Sequence, residues 1–236
     1  MERLDKILSA TGRWSRREVK ELVRYGRVTV DGRCAAAPEE KIDPECALVR
    51  VDGEEVRYEK FLYVMLHKPA GILTATEDSR QSTVADLLPE AWRKRGLAPV
   101  GRLDKDTEGL LLMTDDGELT HRLLSPKYHV DKVYFARVEG ALTAEDAAAF
   151  AAGIELGDGL VCRPARLEIL SPDSCLVTLQ EGKFHQVKRM LARCGKPVLY
   201  LKRLSMGPLA LDDALLPGEY RPLTPDEVRA LKKLQG

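Results

Sequence analysis

Short, largely apolar runs limit most of this chain to a sheet with flanking helices. Phe61–Leu66, Leu110–Thr114 and Lys132–Val138 are five to seven residues long and show no helical periodicity. Runs of this length are typical of buried strands. Predicted strands and helices intermix without a regular βαβ alternation. The sequence therefore predicts an α+β fold with a mixed, mainly antiparallel sheet and flanking helices.

Weaker patterns place the other elements of this part of the chain. Further strands are predicted at Ile72–Thr76, Ala165–Ile169 and Cys175–Leu179, with a turn at Pro172-Asp173 between the last two. Helices are predicted at Val84–Leu88, Ala91–Lys94, Ala144–Ala152 and His185–Cys194, the last of them ending at Gly195.

The N-terminal residues have a different pattern. Leu4, Ile7 and Leu8 recur at helical spacing, and Ser15 followed by Glu18 matches the capping box that opens a second helix. Two hairpins with Asp-Gly turns follow this helix pair. A compact helix–helix–hairpin unit is therefore predicted. We place the domain boundary near Tyr58–Lys60, which divides the chain into a small domain at 1–59 and a larger one at 60–236.

Composition excludes several classes of protein. The chain has 236 residues, of which 44% are hydrophobic, enough to form a packed core. It has no apolar stretch of about 18 residues, so no membrane span is predicted. The charged N-terminus is unlike a secretory signal, and the five cysteines are scattered without metal-ligand spacing. We therefore expect a cytoplasmic protein with reduced cysteines and no metal.

The charges are unevenly distributed, although 37 basic and 37 acidic residues cancel. Residues 1–33, here called the N-terminal basic segment, have a net charge of +4. Residues 181–206, the C-terminal basic segment, have a net charge of +6, so the rest of the chain carries −10. Two basic segments in an otherwise acidic chain indicate a polyanionic partner, which the total charge of zero does not. Solvated helix faces would give the same counts.

A polar loop, Gly101–Gly109, lies between two apolar runs and is a candidate for chemistry. Five of its nine residues are charged, and glycine at both ends permits tight backbone geometry. Asp104 is open to two interpretations, a turn or cap residue or a catalytic carboxylate, and Asp106 also qualifies as the carboxylate. The glycines do not match a nucleotide-binding motif, so no nucleotide cofactor is predicted.

The segment Glu181–Leu191 is the second candidate. Lys188 and Arg189 lie beside an apolar helical stripe. Cations there would bind phosphate, hold a buried carboxylate or form a solvated face. His185 is either a hydrogen-bonded structural histidine or a catalytic base.

These candidates belong to an ordered set of motifs. The set comprises Lys68-Pro69-x-Gly71, Gly101-Arg102-Leu103-Asp104-x-x-Thr107-x-Gly109-Leu110-Leu111, Lys132-x-Tyr134 and Glu181-Gly182-x-x-His185-Gln186-Val187-Lys188-Arg189-Met190. In this order they resemble the pseudouridine synthases that modify ribosomal RNA. Residues 1–46 resemble the S4 RNA-binding domain, and Gly218–Thr224 is similar to the family's C-terminal segment. The resemblance covers essentially the whole chain.

The resemblance implies a reaction and the residues that perform it. Uracil is detached from C1′ of the ribose, turned and rejoined through C5, without a cofactor. Asp104 corresponds to the catalytic carboxylate, which either attacks C1′ or assists loss of the C2′ proton. Lys188 corresponds to the cation that pairs with it. Tyr134 corresponds to a tyrosine that stacks on the base, and Arg102 to a residue that occupies the space left by the flipped nucleotide.

The resemblance also implies contacts with RNA outside the reacting atoms. Candidates in the S4-like domain are Arg3, Lys6, Arg13, Arg16, Arg17, Lys20 and Arg24. Candidates in the catalytic domain are Lys183, His185, Gln186 and Arg189.

The motif His185-Gln186-Val187-Lys188-Arg189-Met190 resembles that of the small-subunit, or RsuA, type. This implies a uridine of 16S ribosomal RNA as the target, at the 516-type site, within a small-subunit assembly intermediate. We expect a monomer. Two alternatives stay open at this point, a pseudouridine synthase for a 23S or tRNA site and a non-catalytic S4 RNA-binding protein.

Overall fold

The computed structural model describes residues 1–44, 46–56 and 60–234. The chain divides into two compact units. The first comprises Met1–Leu62 with Leu88–Leu97, and the second comprises Tyr63–Leu87 with Ala98–Gly236. The predicted boundary near Tyr58–Lys60 falls largely on residues 57–59, which lie outside the described residues, so it stays a prediction.

Small strands and short helices build the first unit. Its strands are β1 (Glu2–Arg3), β2 (Val28–Val30), β3 (Arg33–Cys34), β4 (Lys41–Ile42), β5 (Val49–Val51) and β6 (Glu54–Glu55). Its helices are α1 (Leu4–Ala10), α2 (Arg16–Arg24) and α3 (Glu90–Arg95).

The predicted helix–helix–hairpin arrangement is confirmed. The Ser15 hydroxyl accepts a hydrogen bond from the Glu18 amide, and the Glu18 carboxylate accepts one from the Ser15 amide, which starts α2. Strands β3, β2, β5 and β6 form one antiparallel sheet in that order. Asp31 and Asp52 have positive φ at its two turns, as Asp-Gly hairpins require. Leu4, which is fully buried, lies in the core formed between the helices and this sheet.

The second unit contains the larger sheet. Its strands are β7 (Tyr63–Lys68), β8 (Ala98–Pro99), β9 (Glu108–Thr114), β10 (Lys132–Val138), β11 (Arg166–Ser171), β12 (Ser174–Leu179), β13 (Val198–Met206), β14 (Leu209–Ala210) and β15 (Tyr220–Pro222). Its helices are α4 (Gly117–Leu124), α5 (Ala144–Ala152), α6 (Gln186–Arg193) and α7 (Pro225–Lys233), with 3₁₀ turns at Val84–Leu87 and Pro126–Tyr128.

The mixed, mainly antiparallel sheet is confirmed. The strands lie in the order β11-β12-β10-β13-β9-β7-β15, with β14 beside β13 and β8 beside β9. Strands β9 and β13 pair in parallel, and the other described pairs are antiparallel. Every residue of β7 is buried, as its continuous apolar run predicts.

The structure differs from the prediction at several elements. Ile72–Thr76 is not a strand, because Leu73 pairs with Thr83 only as an isolated bridge. Strand β13 was not predicted, since Lys202 and Arg203 interrupt its apolar pattern. Helices α4 and α7 were not predicted either. None of the helices in the described part of the chain combines the length and the hydrophobicity of a membrane span.

Candidate active site

The loop Gly101–Gly109 joins β8 to β9 and carries Asp104. The backbone just before this aspartate is fixed by a buried threonine of another segment. The Thr74 hydroxyl donates to the Leu103 carbonyl at 2.7 Å and accepts from the Leu103 amide at 3.2 Å. A single hydroxyl therefore satisfies both backbone groups of Leu103 and holds Asp104 in place.

Lys68, at the end of β7, fixes the loop after Asp104. Its side chain is fully buried. The ammonium donates to the carbonyls of Pro69 at 2.9 Å, Lys105 at 3.1 Å and Thr107 at 3.0 Å. Burial lowers the pKa of Lys68 to about 8. The nearby carboxylates, Asp106 first and then Asp104, favour its charged form and limit that decrease.

Gly109 ends the loop at a point where only glycine fits. Its φ is 106°, and a Cβ there would lie 2.2 Å from the Arg203 carbonyl oxygen. This close approach lets β9 pair in parallel with β13, with Gly109 opposite Arg203. Because backbone atoms cannot yield as a flexible side chain can, a larger residue would separate the two central strands.

Asp104 lies beside two basic side chains from α6 and its N-cap. The Lys188 ammonium is 3.2 Å from one carboxylate oxygen, and His185 Nε2 is 3.4 Å from the other. The Asp104 side chain keeps 24% of its surface exposed. The loop and α6, far apart in sequence, thus form one charged cluster that solvent can reach.

Asp106 shares the same cation. Its carboxylate accepts a hydrogen bond from Lys188 at 2.5 Å, and this contact holds the pKa of Asp106 below its usual value. Its side chain is 74% exposed. Lys188 therefore bridges two carboxylates, of which Asp104 is the less accessible.

Tyr134 and Arg102 are placed by the sheet and by the loop respectively. Tyr134 lies on β10 opposite Arg203 of β13, which in turn lies opposite Gly109. Tyr134 is buried, with 9% of its surface exposed. Arg102 is exposed and lies two residues before Asp104. The structure thus brings Asp104, Lys188 and His185 into contact and leaves Tyr134 and Arg102 near the ends of the same loop.

The RNA-binding residues predicted in the first unit are all exposed, and they are Arg3, Lys6, Arg13, Arg16, Arg17, Lys20 and Arg24. Three of them form surface ion pairs, namely Lys6 with Glu2, Arg13 with Glu54 and Arg24 with Glu21. Such exposed pairs are weak, so phosphate can replace their carboxylates. Arg3 differs, because it donates two hydrogen bonds to the buried carboxylate of Asp5.

The RNA-binding residues predicted in the second unit form more contacts within the protein. Lys183 donates to the Val161 carbonyl, and Arg189 pairs with Asp158 at 2.6 Å. Gln186 is only 4% exposed. Its amide donates to Glu181 at 2.6 Å, so this side chain shapes the turn before α6 and has no free group to offer RNA.

Thr74 and Lys68 were not predicted as site residues. Thr74 lies in the segment interpreted as a strand, and its sequence neighbours carry no signal of its contact with the loop. Lys68 had a signal, because a lysine two residues after a continuous apolar run has to bury its charge or reach out of the sheet. Within the described residues, no cluster of three or more potential metal-ligating side chains occurs.

Comparisons with known proteins indicate one family and one additional domain. Residues 62–193 match the RNA pseudouridylate synthase family, and residues 2–45 match the S4 domain. An uncharacterized RNA pseudouridine synthase of Bacillus subtilis (strain 168) is 50% identical over 99% of both chains. The Yersinia pestis protein named ribosomal small subunit pseudouridine synthase A is 42% identical over 97% of both chains. The protein of that name from Escherichia coli (strain K12) is 40% identical over 97% of this chain and 99% of its own.

Among solved structures, a crystal structure of a pseudouridylate synthase is 35% identical, with a TM-score of 0.70. It covers 98% of this chain, and this chain covers all of it. The family match extends over more than half of the chain and contains the loop with Asp104 and the whole of α6 with Lys188. The chain therefore belongs to the RNA pseudouridylate synthase family, as an isomerase with an N-terminal S4 domain.

Proposed function

We propose that this pseudouridine synthase converts one uridine of 16S ribosomal RNA, the 516-type site, to pseudouridine, with Asp104 as the catalytic carboxylate. The contact that carries the proposal is the 3.2 Å pair between Lys188 and Asp104. The loop that carries Asp104 is held in place both before and after this residue. The choice of small-subunit RNA is supported by the relatives from Yersinia pestis and Escherichia coli, which carry that substrate in their names.

The reaction places simple demands on the site. The bond between N1 and C1′ breaks, the bond between C5 and C1′ forms, one proton leaves C5 and one is taken up at N1. No electrons are gained or lost overall, so a carboxylate acting at the sugar suffices. A cation close to such a carboxylate attracts it and fixes its position at the sugar. Lys188 meets this requirement, and the partial exposure of Asp104 leaves room for a flipped nucleotide.

Tyr134 and Arg102 complete the proposed site. An aromatic ring stacks on any base, which suits Tyr134 to hold uracil while its bond to the sugar is exchanged. The target has to leave its stack, which costs a few kcal/mol. Arg102, exposed beside Asp104, occupies the vacated space and offsets part of that cost.

The first unit supplies affinity. Residues 1–59 form the RNA-binding domain and 60–236 the catalytic domain in this proposal. The exposed arginines at the start of α2 lie where free backbone amides add to their attraction for phosphate. The enzyme acts as a monomer in the cytoplasm, on RNA of an assembling small subunit.

The decisive experiment maps pseudouridines in the ribosomal and transfer RNA of cells with and without the gene. We expect one site to disappear from 16S RNA and to return when the intact gene is supplied. A gene carrying Asp104→Asn serves as the control and should not restore it. Loss of a site in 23S RNA or in a tRNA would contradict the choice of substrate, and restoration by Asp104→Asn would contradict the role of the carboxylate.

A further inference from the structure

The candidate site carries an exposed aromatic ring that the proposed reaction does not use. Phe184 is 74% exposed, although the other three phenylalanines of the chain are buried or half-buried. Its ring stacks on His185, with ring centroids 3.8 Å apart and planes inclined by 19°. The same histidine lies 3.4 Å from Asp104. A bare phenyl face thus lies one ring away from the catalytic carboxylate.

The turn that carries this ring is rigid. The Lys183 amide donates to the Gln186 side chain at 2.9 Å, and the Gln186 amide group donates to Glu181 at 2.6 Å. Glu181 also accepts from the Arg163 amide at 3.0 Å. Because Glu181 and Gln186 are both buried, this network fixes the two ends of the turn and presents Phe184 between them.

The backbone at His185 adds a second constraint. Its φ of 49° and ψ of 34° lie in the left-handed region, which residues with a Cβ rarely adopt. Strained conformations of this kind persist where the surrounding structure enforces them, and they cluster at functional sites. Here the conformation accompanies two contacts of one ring, with Asp104 at its edge and with Phe184 on its face.

We propose that Phe184, backed by His185, is a stacking platform for the nucleobase that flanks the target uridine in the substrate RNA. This inference rests on the proposed function. When a uridine flips out, the neighbouring base loses a stacking partner, and an aromatic ring beside the site replaces it. Since every base has an aromatic face, the platform is tolerant of sequence and contributes to positioning and affinity.

The test uses the full-length enzyme and a 16S RNA fragment that contains the pseudouridine mapped for the wild type. The fragment is prepared intact or with an abasic nucleotide on the 5′ or the 3′ side of the target. Phe184→Leu should raise KM on intact RNA roughly 10-fold. Phe184→Tyr should behave as the wild type. Leu170→Ala, which removes another exposed apolar side chain, should leave KM unchanged.

The combination of Phe184→Leu with an abasic nucleotide tests whether the ring stacks on the flanking base. An abasic nucleotide on the stacked side should raise the wild-type KM to the same degree, and Phe184→Leu should then add nothing. The inference would be overturned if Phe184→Leu had the KM of the wild type. It would also be overturned if the effects of Phe184→Leu and of the abasic nucleotide on KM multiplied, whether that nucleotide is 5′ or 3′ of the target. A decrease in kcat alone would overturn it as well, because it would place the ring on the target base. If the wild type forms no pseudouridine in intact 16S RNA, the proposed function fails and this inference with it.

Discussion

The two basic segments present their charge in opposite ways. In the N-terminal basic segment, Arg16, Arg17 and Lys20 are exposed and form no ion pair with another described residue. In the C-terminal basic segment, Lys188 bridges two carboxylates. Arg203 is 2% exposed, and its Nε donates to the Leu110 carbonyl at 2.7 Å. The cations of the first segment are thus all exposed, whereas in the second segment Lys188 and Arg203 are held by partners within the protein.

This difference separates affinity from chemistry. Solvated cations attract phosphate over a distance set by the ionic strength, so they affect association and its dependence on salt. Cations held by carboxylates and carbonyls fix the positions and charge states of particular groups. Substitutions in the two segments should therefore change different kinetic constants.

The largest effect is expected for Asp104→Asn, which removes the negative charge beside Lys188 but keeps the shape of the side chain. We expect release of tritium from 5-tritiated uridine in RNA to fall by about 10³-fold or more. RNA binding should stay within a few-fold of the wild type, because the first unit is unchanged. A parallel loss of binding would show that affinity and chemistry are not separate.

Lys68→Met should have the next largest effect. The Lys105 carbonyl keeps a bond from the Gly71 amide, but the substitution removes the ammonium from the carbonyls of Pro69 and Thr107. We expect the free energy of unfolding to fall by about 2–4 kcal/mol and kcat by roughly 10²-fold, because the loop shifts. Lys105→Met, on the exposed face of the same loop, is the control. Equal effects of the two variants would contradict the positioning role of Lys68.

The pH dependence of Lys68 gives a sharper test, with two trends of opposite sign. Its pKa is about 8 in the folded protein, against about 10.4 for an ordinary lysine. The unfolded chain therefore binds more protons between these values, so this group's contribution to stability increases with pH there. The amine left above pH 8 has too few hydrogens for three carbonyls, so kcat should decrease in the same range.

Denaturant titrations and single-turnover rates of the wild type and of Lys68→Met, from pH 7 to pH 10, measure both trends. The wild type should gain stability relative to the variant as its kcat declines. A difference in stability that stays flat over this range would show that the pKa of Lys68 is not lowered.

A smaller effect, on binding alone, is expected for the double variant Arg16→Gln, Arg17→Gln. If each contact with single-stranded RNA lost reduces the salt slope by roughly 0.7, the slope should decrease by about 1.4. The rate at saturating RNA should not change. Lys232→Gln, Lys233→Gln in α7 removes the same charge as a control. An equal change in slope for both variants would mean that net charge matters and its location does not.

The smallest effect is expected for Asp106→Asn. This carboxylate is largely exposed, and exposed ion pairs contribute about 1 kcal/mol or less. Lys188 keeps its contact with Asp104, so kcat should stay within about threefold of the wild type. A loss comparable to that of Asp104→Asn would move the catalytic assignment from Asp104 to the pair.

Local sequence determined much of this architecture. The capping box at Ser15, the Asp-Gly hairpins and the run Lys132–Val138 appear where the sequence predicts them, because each depends on neighbours within a few residues. The ordered motifs likewise indicate the family through residue types and spacing alone. Strand β13 could not be predicted, because Lys202 and Arg203 interrupt its apolar pattern and its place between β10 and β9 depends on partners remote in sequence.

The candidate site divides in the same way. Its motifs singled out Asp104 and Lys188 as residues, but the 3.2 Å pair between them joins positions far apart in the chain. The hydroxyl of Thr74, the buried ammonium of Lys68 and the exposed ring of Phe184 acquire their meaning only from what lies opposite them after folding. Sequence alone determined which chemical groups are available and how the chain locally turns. Only the tertiary structure decided which charges are neutralised internally and which remain for RNA, because burial and pairing depend on distances between residues remote in sequence.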